Sequence, residues 1–251
     1  MSTFDRNNTQ RFGMAGARAD AGVYDAGLRA YMLRVYNYMA LGVAITGLVA
    51  LASFNMAVDG ATGQLTAFGA AIYTTPLRWV VMLAPLGLVF FLSARIHKMS
   101  ASAAQTTFWI YAALMGLSLS WIFMVYTGNS IARVFFISAA SFGALSLFGY
   151  TTKKDLSAWG SFLFMGLIGI IIASLVNLFL ASSALQFAIS VIGVLVFAGL
   201  TAYDTQQIKE MYAASDSADS AGKKAVMGAL RLYLDFINLF IMLLSLFGNR
   251  E

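Results

Sequence analysis

The sequence predicts an all-α protein that spans a membrane with seven helices, and its composition and its long apolar runs carry this prediction. Of its 251 residues, 60% are hydrophobic and only 11% are charged, with a mean hydropathy of +0.76. Soluble domains carry about 25% charged residues, so a chain this poor in charge cannot cover a water-facing surface. Apolar runs such as residues 166–173 do not alternate with polar residues, which excludes a transmembrane β-barrel.

The apolar segments define the predicted helices and the domain organisation. A helix needs about 20 apolar residues to cross the hydrocarbon core. Seven segments come close to this length: 35–57, 79–95, 108–126, 131–150, 159–181, 185–203 and 229–247. Residues 1–33 are predicted to be a mobile cytoplasmic tail, and residues 34–251 a single seven-helix domain. The stretch 204–228 is predicted to be a long connection whose polar part, 213–224, is a linker.

The basic residues indicate the orientation in the membrane, because Lys and Arg accumulate in cytoplasmic loops. Twelve of them precede segment one or lie in the loops after segments two, four and six, whereas Arg78, Arg133 and Arg250 lie on the other side. The N-terminus is therefore predicted to be cytoplasmic. Seven crossings would place the C-terminus outside, and a re-entrant seventh segment would leave both termini in the cytoplasm.

Two acidic residues lie where water is not expected to reach them. Asp204 ends the apolar run 191–203, and Asp235 lies inside the run 232–241. An ionised Asp at the bilayer centre costs about 2.5–3.5 kcal/mol on insertion scales, so such a residue is usually protonated, paired or exposed to a wet cavity. A purely structural role also stays open: a packing hydrogen bond for Asp235, and a contact with the inner interface for Asp204.

The depths of the two aspartates suggest that they meet. Segment six runs inward to Asp204, and segment seven runs outward from about residue 229, so Asp235 lies roughly 10 Å inside the inner boundary at ~1.5 Å per residue. Two carboxylates in a dry site cannot both ionise cheaply, so the pair would titrate as a unit and serve as a pH sensor. Arg231, four residues before Asp235, and Arg95, at the inner end of segment two, are candidate partners. Arg95 could equally be an interfacial anchor.

The residue types missing from the chain exclude several classes of function. Without cysteine and with His97 as the only histidine, the chain cannot form a disulfide framework, a thiolate nucleophile or a His-rich zinc site. Every lysine lies in a loop, which excludes a retinal Schiff base within a helix, and no phosphate-cradling glycine loop occurs. We therefore predict a protein that is not an enzyme and has no cofactor. The net charge of +5 is better explained by lipid headgroups than by nucleic acid.

Two sequence strings resemble the Bax inhibitor (transmembrane Bax-inhibitor-motif) family. They are Tyr203-Asp204-Thr205-Gln206 and Leu232-Tyr233-Leu234-Asp235-Phe236-Ile237-Asn238-Leu239-Phe240, and Lys153-Lys154-Asp155-Leu156 also fits. The resemblance covers about residues 30–248, and the N-terminal tail is similar to the bacterial branch.

The resemblance implies a fold, a site and two functions. The last helix would be central and ringed by the other six, in a bacterial inner membrane. The protein would be a pH-sensitive calcium leak whose sensor is the pair Asp204 and Asp235, and a basic residue at the end of the second helix, here Arg95, would interact with the pair. Some bacterial members of the family are also implicated in restraining a membrane-anchored AAA protease.

Three functions are compatible with these features. The first is a passive, pH-gated calcium leak in the lipid bilayer, for which Asp204 and Asp235 would offer only a weak, transient metal site, as conduction requires. The second is a non-conducting regulator that binds a membrane-anchored AAA protease. The third is a secondary transporter, which is disfavoured because the sequence shows no convincing inverted repeat.

Overall fold

Seven helical segments of the chain are long and apolar enough to cross a membrane, which confirms the predicted fold class. The computed structural model describes the backbone of residues 3–250 and the side chains of residues 25–250, and within these residues it contains no β-strand longer than an isolated bridge. The helices of this part of the chain are α1 (Thr3–Ala57), α2 (Ala67–Thr74), α3 (Leu77–Arg95), α4 (Ala101–Leu119), α5 (Ile122–Val125), α6 (Gly128–Thr151), α7 (Ser157–Leu180), α8 (Ser183–Glu210) and α9 (Ala218–Phe247).

Hydroxyl side chains cap the N-termini of five helices. In each case the Ser or Thr oxygen accepts a hydrogen bond from the backbone N–H three residues later, which satisfies one of the donors that a helix start leaves free. These caps fix where the chain leaves a loop and enters a helix, and they explain why the loops are short. The capping residues are Thr66, Ser100, Thr127, Ser182 and Ser217.

The connection between the last two spans is much shorter than predicted. Helix α8 continues past Asp204 to Glu210, and α9 already begins at Ala218, so only residues 211–217 connect them. The predicted linker 213–224 was wrong from residue 218 onward, where its Ala and Lys residues also favour helix, whereas 213–217 do lie in the connection. The Ser217 cap and Asp219 in the first turn, near the positive end of the helix dipole, start α9 there.

The first helix begins before the predicted first segment. Residues 25–33 belong to α1, and Leu28, Tyr31 and Met32 are buried in the bundle. Residues 1–24 of the predicted tail lie outside the residues whose side chains the structure describes, and their mobility stays a prediction.

Helix α9 is the centre of the bundle. In its most apolar window 56% of the residues are buried, against 11% in α7 and 17% in the span that contains α3. It packs chiefly against α1, α4, α6 and α8, while α3 packs on α4 and α7 packs on α8. The expected central position of the last helix is thus found, with four helices rather than six in its immediate ring.

Both ends of α9 are tied to opposite ends of the third span, Ala101–Val125. Near the start of α9, the Ala101 N–H donates to Asp219 Oδ1 (2.8 Å). Beyond its end, the Thr127 N–H donates to the Asn249 carbonyl (3.1 Å), and the Asn249 N–H donates to Ser130 Oγ (2.9 Å). Helix α9 therefore runs the full length of the bundle, which favours seven crossings over a re-entrant last segment.

Candidate functional site

Asp204 and Asp235 meet between α8 and α9. Their carboxyl groups are close enough to interact with each other. Asp235 is only 4% exposed, and its Oδ2 has no hydrogen-bond partner among the described residues. Because a carboxylate is only an acceptor, a hydrogen bond between two carboxyl groups requires that the pair hold at least one proton.

Arg231 is the basic residue that the structure brings to the pair. It lies one turn before Asp235 on α9, and its positive charge acts on both Asp204 and Asp235. Its side chain stays exposed, so it faces the mouth of the site rather than its interior. Arg95 does not join this cluster: it is exposed at the end of α3 and does not line the cavity beside the pair.

A lateral cavity of about 600 Å³ opens beside the pair, and α7, α8 and α9 form its walls. The ring of Tyr203 lies against Gly160 of α7, where a side chain would clash with it, and this close contact seats α7 on α8 next to Asp204. Since Gly160 is in the first turn of α7, the site lies close to one end of the bundle. Its polar lining consists of Ser161, Tyr203, Asp204, Arg231, Asp235 and Asn238.

The cavity could hold a cation only loosely. Carboxylate oxygens suit Ca²⁺, which prefers six to eight oxygen ligands. Among the described residues no cluster of three or more His, Cys, Asp or Glu side chains occurs, so the two aspartates would need water to complete the coordination shell. Asn238 also lines the cavity; its Nδ2 donates to the Leu234 carbonyl (2.8 Å), so its Oδ1 is the atom that could serve as a further ligand.

A chain of hydroxyl groups beside Asp204 was not predicted from the sequence. Tyr36 Oη, Ser146 Oγ and Thr205 Oγ1 are linked at 2.6 and 2.9 Å, and Thr205 donates to the Thr201 carbonyl (2.7 Å). Since each hydroxyl has one proton, Tyr36 donates to Ser146 and Ser146 donates to Thr205. The chain joins α1, α6 and α8 immediately after Asp204.

A second hydroxyl contact holds α9 beside Asp235. Tyr233 Oη and Thr46 Oγ1 are 2.6 Å apart in the buried core, and Thr46 Oγ1 also approaches the carbonyls of Gly42 (3.0 Å) and Ala112 (2.9 Å). Because the single Thr46 proton goes to a carbonyl, Tyr233 is the donor to Thr46. Helical Ser, Thr and Tyr residues give no spacing signal that would have revealed either contact.

Comparison with known proteins identifies the family. The family model described as "Inhibitor of apoptosis-promoting Bax1" matches residues 28–251. The chain is 50% identical over 229 residues to the inner membrane protein YbhL of Escherichia coli (strain K12), covering 90% of this chain and 94% of that protein. It is 49% identical over 228 residues to a protein of Rickettsia prowazekii (strain Madrid E), covering 91% of this chain and 93% of its relative. The family model covers both aspartates, the last six spans and the first span from residue 28 onward, and the chain belongs to the Bax inhibitor family of membrane proteins.

Proposed function

We propose that this protein is a pH-sensitive calcium leak of a bacterial inner membrane, gated by the pair of Asp204 and Asp235. The observation that carries the proposal is that Asp204 and Asp235 line the same lateral cavity and interact with each other there, while one oxygen of Asp235 is buried without a hydrogen-bond partner among the described residues. Calcium as the ion is what the resemblance to the family implies, and the inner membrane is proposed because the relative YbhL is an inner membrane protein.

The pair can act as a sensor because its contact depends on protons. While the two groups share a proton, they hold α8 to α9, and when both are ionised they repel each other across a poorly solvated gap. Arg231 would moderate this repulsion, and Tyr203 is the other titratable side chain that lines the cavity. The Thr205 and Tyr233 hydroxyl contacts carry no charge, so they would hold their helices at any pH while the carboxyl contact changes.

We assign the present arrangement to a closed conformation. On the far side of Asp235 from the cavity mouth, α9 continues with the buried residues Leu239, Leu243 and Leu244. A hydrated ion cannot pass such an apolar, packed region, so conduction would require α9 to separate from a neighbouring helix. The aspartate pair lies between α8 and α9, where loss of its contact would favour that separation.

The test is calcium flux into liposomes that contain the purified protein, measured from mildly acidic to mildly alkaline pH. We expect flux that depends on the protein and on pH in the wild type, and a flattened pH profile in both Asp204→Asn and Asp235→Asn. Glu210→Gln is the matched control, because Glu210 is an exposed acid near the same end of the bundle, outside the cavity. Its profile should equal that of the wild type.

Two further comparisons separate the alternatives. If Arg231 is the basic partner of the aspartate pair, Arg231→Gln shifts the pH profile of calcium flux and Arg95→Gln does not. A shift in Arg95→Gln alone would favour Arg95, the partner that the family resemblance implies. Absence of flux at every pH from folded protein would refute the leak. The protein would then be better described as a non-conducting regulator, and binding to a purified membrane-anchored AAA protease would be the next measurement.

A further inference from the structure

A second lateral groove, distinct from the cavity beside the aspartates, lies between α6 and α7. Both helices pack on α8, and the space between them has a volume of about 630 Å³. Phe148, Phe162 and Leu195 line it, and each has more than half of its side chain exposed. The volume falls in the range of about 300–1,000 Å³ that is typical of small-molecule sites.

The groove has the length of one lipid leaflet. On α8 it extends from Ile192 to Tyr203, which corresponds to roughly 16 Å at ~1.5 Å per residue. The hydrocarbon core of a bilayer is about 30 Å thick, so the groove covers about half of it. It begins at the end where α6 and α7 are connected, the end at which the basic loops gather.

A basic side chain and an aromatic one stand at the mouth of the groove. Lys154 and Trp159 both line it, and both are exposed. The backbone of Lys154 is held in place, because Gln206 Nε2 donates to its carbonyl (2.8 Å) while Gln206 Oε1 accepts from the Leu156 N–H (2.8 Å). The structure shows no hydrogen bond or ion pair for the Lys154 ammonium among the described residues.

We infer that this groove is a binding site for an anionic phospholipid. One acyl chain would lie along the apolar groove, and the phosphate would pair with the Lys154 ammonium. Basic pockets between transmembrane helices on the cytoplasmic side bind anionic headgroups, and tryptophan is enriched at this level of the membrane. The inference does not depend on ion conduction, since it uses a different cavity and different charges.

The headgroup contact is tested with neighbouring lysines. Lys153 is also exposed, but it does not line the groove, so Lys153→Gln is the matched control for Lys154→Gln. Native mass spectrometry of the detergent-purified protein would compare retention of phosphatidylglycerol and phosphatidylcholine with the same acyl chains. We expect the wild type to prefer phosphatidylglycerol, and Lys154→Gln to lower its retention about fivefold with little change for phosphatidylcholine. Lys153→Gln should change neither by more than about twofold.

The chain-binding part is tested by filling the groove. Ala198 lines it, so Ala198→Phe should lower retention of both lipids, whereas Val191→Phe, at an exposed α8 position outside the groove, should not. Equal retention of the two lipids by the wild type, or equal losses in the two lysine variants, would overturn the headgroup assignment. Unchanged retention in a folded Ala198→Phe protein would overturn the groove assignment.

Discussion

The contact between α6 and α8 can be tested at Gly149, one turn beyond the hydroxyl chain. A Cβ at Gly149 would overlap the Ala202 carbonyl oxygen and lie 2.9 Å from its carbon and 3.0 Å from the Ala202 Cα. These are backbone atoms, so no side-chain rotation relieves the clash, and the two helices must separate. Gly143, on the same helix, is the matched control, because a Cβ there has no atom within 4 Å.

The expected magnitude follows from the difference between the two variants. Replacing a helical Gly by Ala gains about 0.5–1 kcal/mol in helix propensity, and this gain is common to both positions. Overpacking a tight contact costs about 1–3 kcal/mol, which applies to Gly149→Ala alone. Unfolding followed by tryptophan fluorescence in detergent should therefore give a midpoint for Gly149→Ala that is roughly 3–9 °C below that of Gly143→Ala.

The same substitution should also affect the aspartate pair. Separation of α6 from α8 lengthens the 2.9 Å contact between Ser146 and Thr205, and Thr205 directly follows Asp204. We expect Gly149→Ala to alter the pH profile of calcium flux, and Gly143→Ala to leave it unchanged. If the free energies of unfolding of the two variants differ by less than about 0.5 kcal/mol, α6 and α8 can move apart without a loss of stability. The argument from close packing would then be wrong.

Two further predictions concern the loops near the site. Lys224 bonds to Asp216 (2.7 Å) and to the Met211 carbonyl (3.0 Å), so Lys224→Gln should weaken the 211–217 connection by about 1–2 kcal/mol and speed its hydrogen exchange. Lys223→Gln is the control and should have little effect on this connection, because Lys223 pairs with Asp219 one turn before it on α9. The Ser157 N–H bonded to Asp155 lowers the pKa of this carboxyl, so its ionised form stabilises the folded state above the ordinary Asp pKa. Asp155→Asn should therefore be less stable than the wild type at neutral pH, and thermal unfolding should show the difference vanish as pH falls through the lowered pKa.

The membrane spans could be predicted from the sequence because hydropathy measures the free energy of transfer from water into an apolar phase. The same free energy drives membrane insertion. The prediction failed at helix ends, where the polar residues of 218–228 have the composition of a linker but form about three turns of α9. Hydropathy cannot distinguish a polar helix outside the lipid from a loop. The Ser217 cap and the Ala101 contact with Asp219 decide the structure there, and the second of these joins residues 118 positions apart.

Each aspartate could be identified as a candidate site residue from the sequence, because placing an acidic side chain within an apolar membrane segment costs free energy at any position. Their contact rests on the register of α8 against α9, which the close approaches of Gly193 to Met242 and of Gly228 to Ile208 help to set. The chain contains 22 glycines, and among them Gly143, Gly149 and Gly160 look alike in the sequence although only two are tight contacts. A single sequence therefore gives the candidate residues of the site, and their arrangement depends on packing that it does not encode locally.

If Asp204 and Asp235 are the proposed pH sensor, the hydroxyl contacts would confine the effect of their titration to one part of the bundle. Thr205 and Tyr233 fix α8 and α9 next to the aspartates through neutral groups, whose hydrogen bonds do not change with pH in the physiological range. A change in the protonation of Asp204 and Asp235 would then affect the parts of α8 and α9 next to these contacts rather than the packing of every helix. For the same reason, Asp235→Asn should alter the pH response more than the stability of the fold, since an amide can still donate the hydrogen bond that a shared proton supplies.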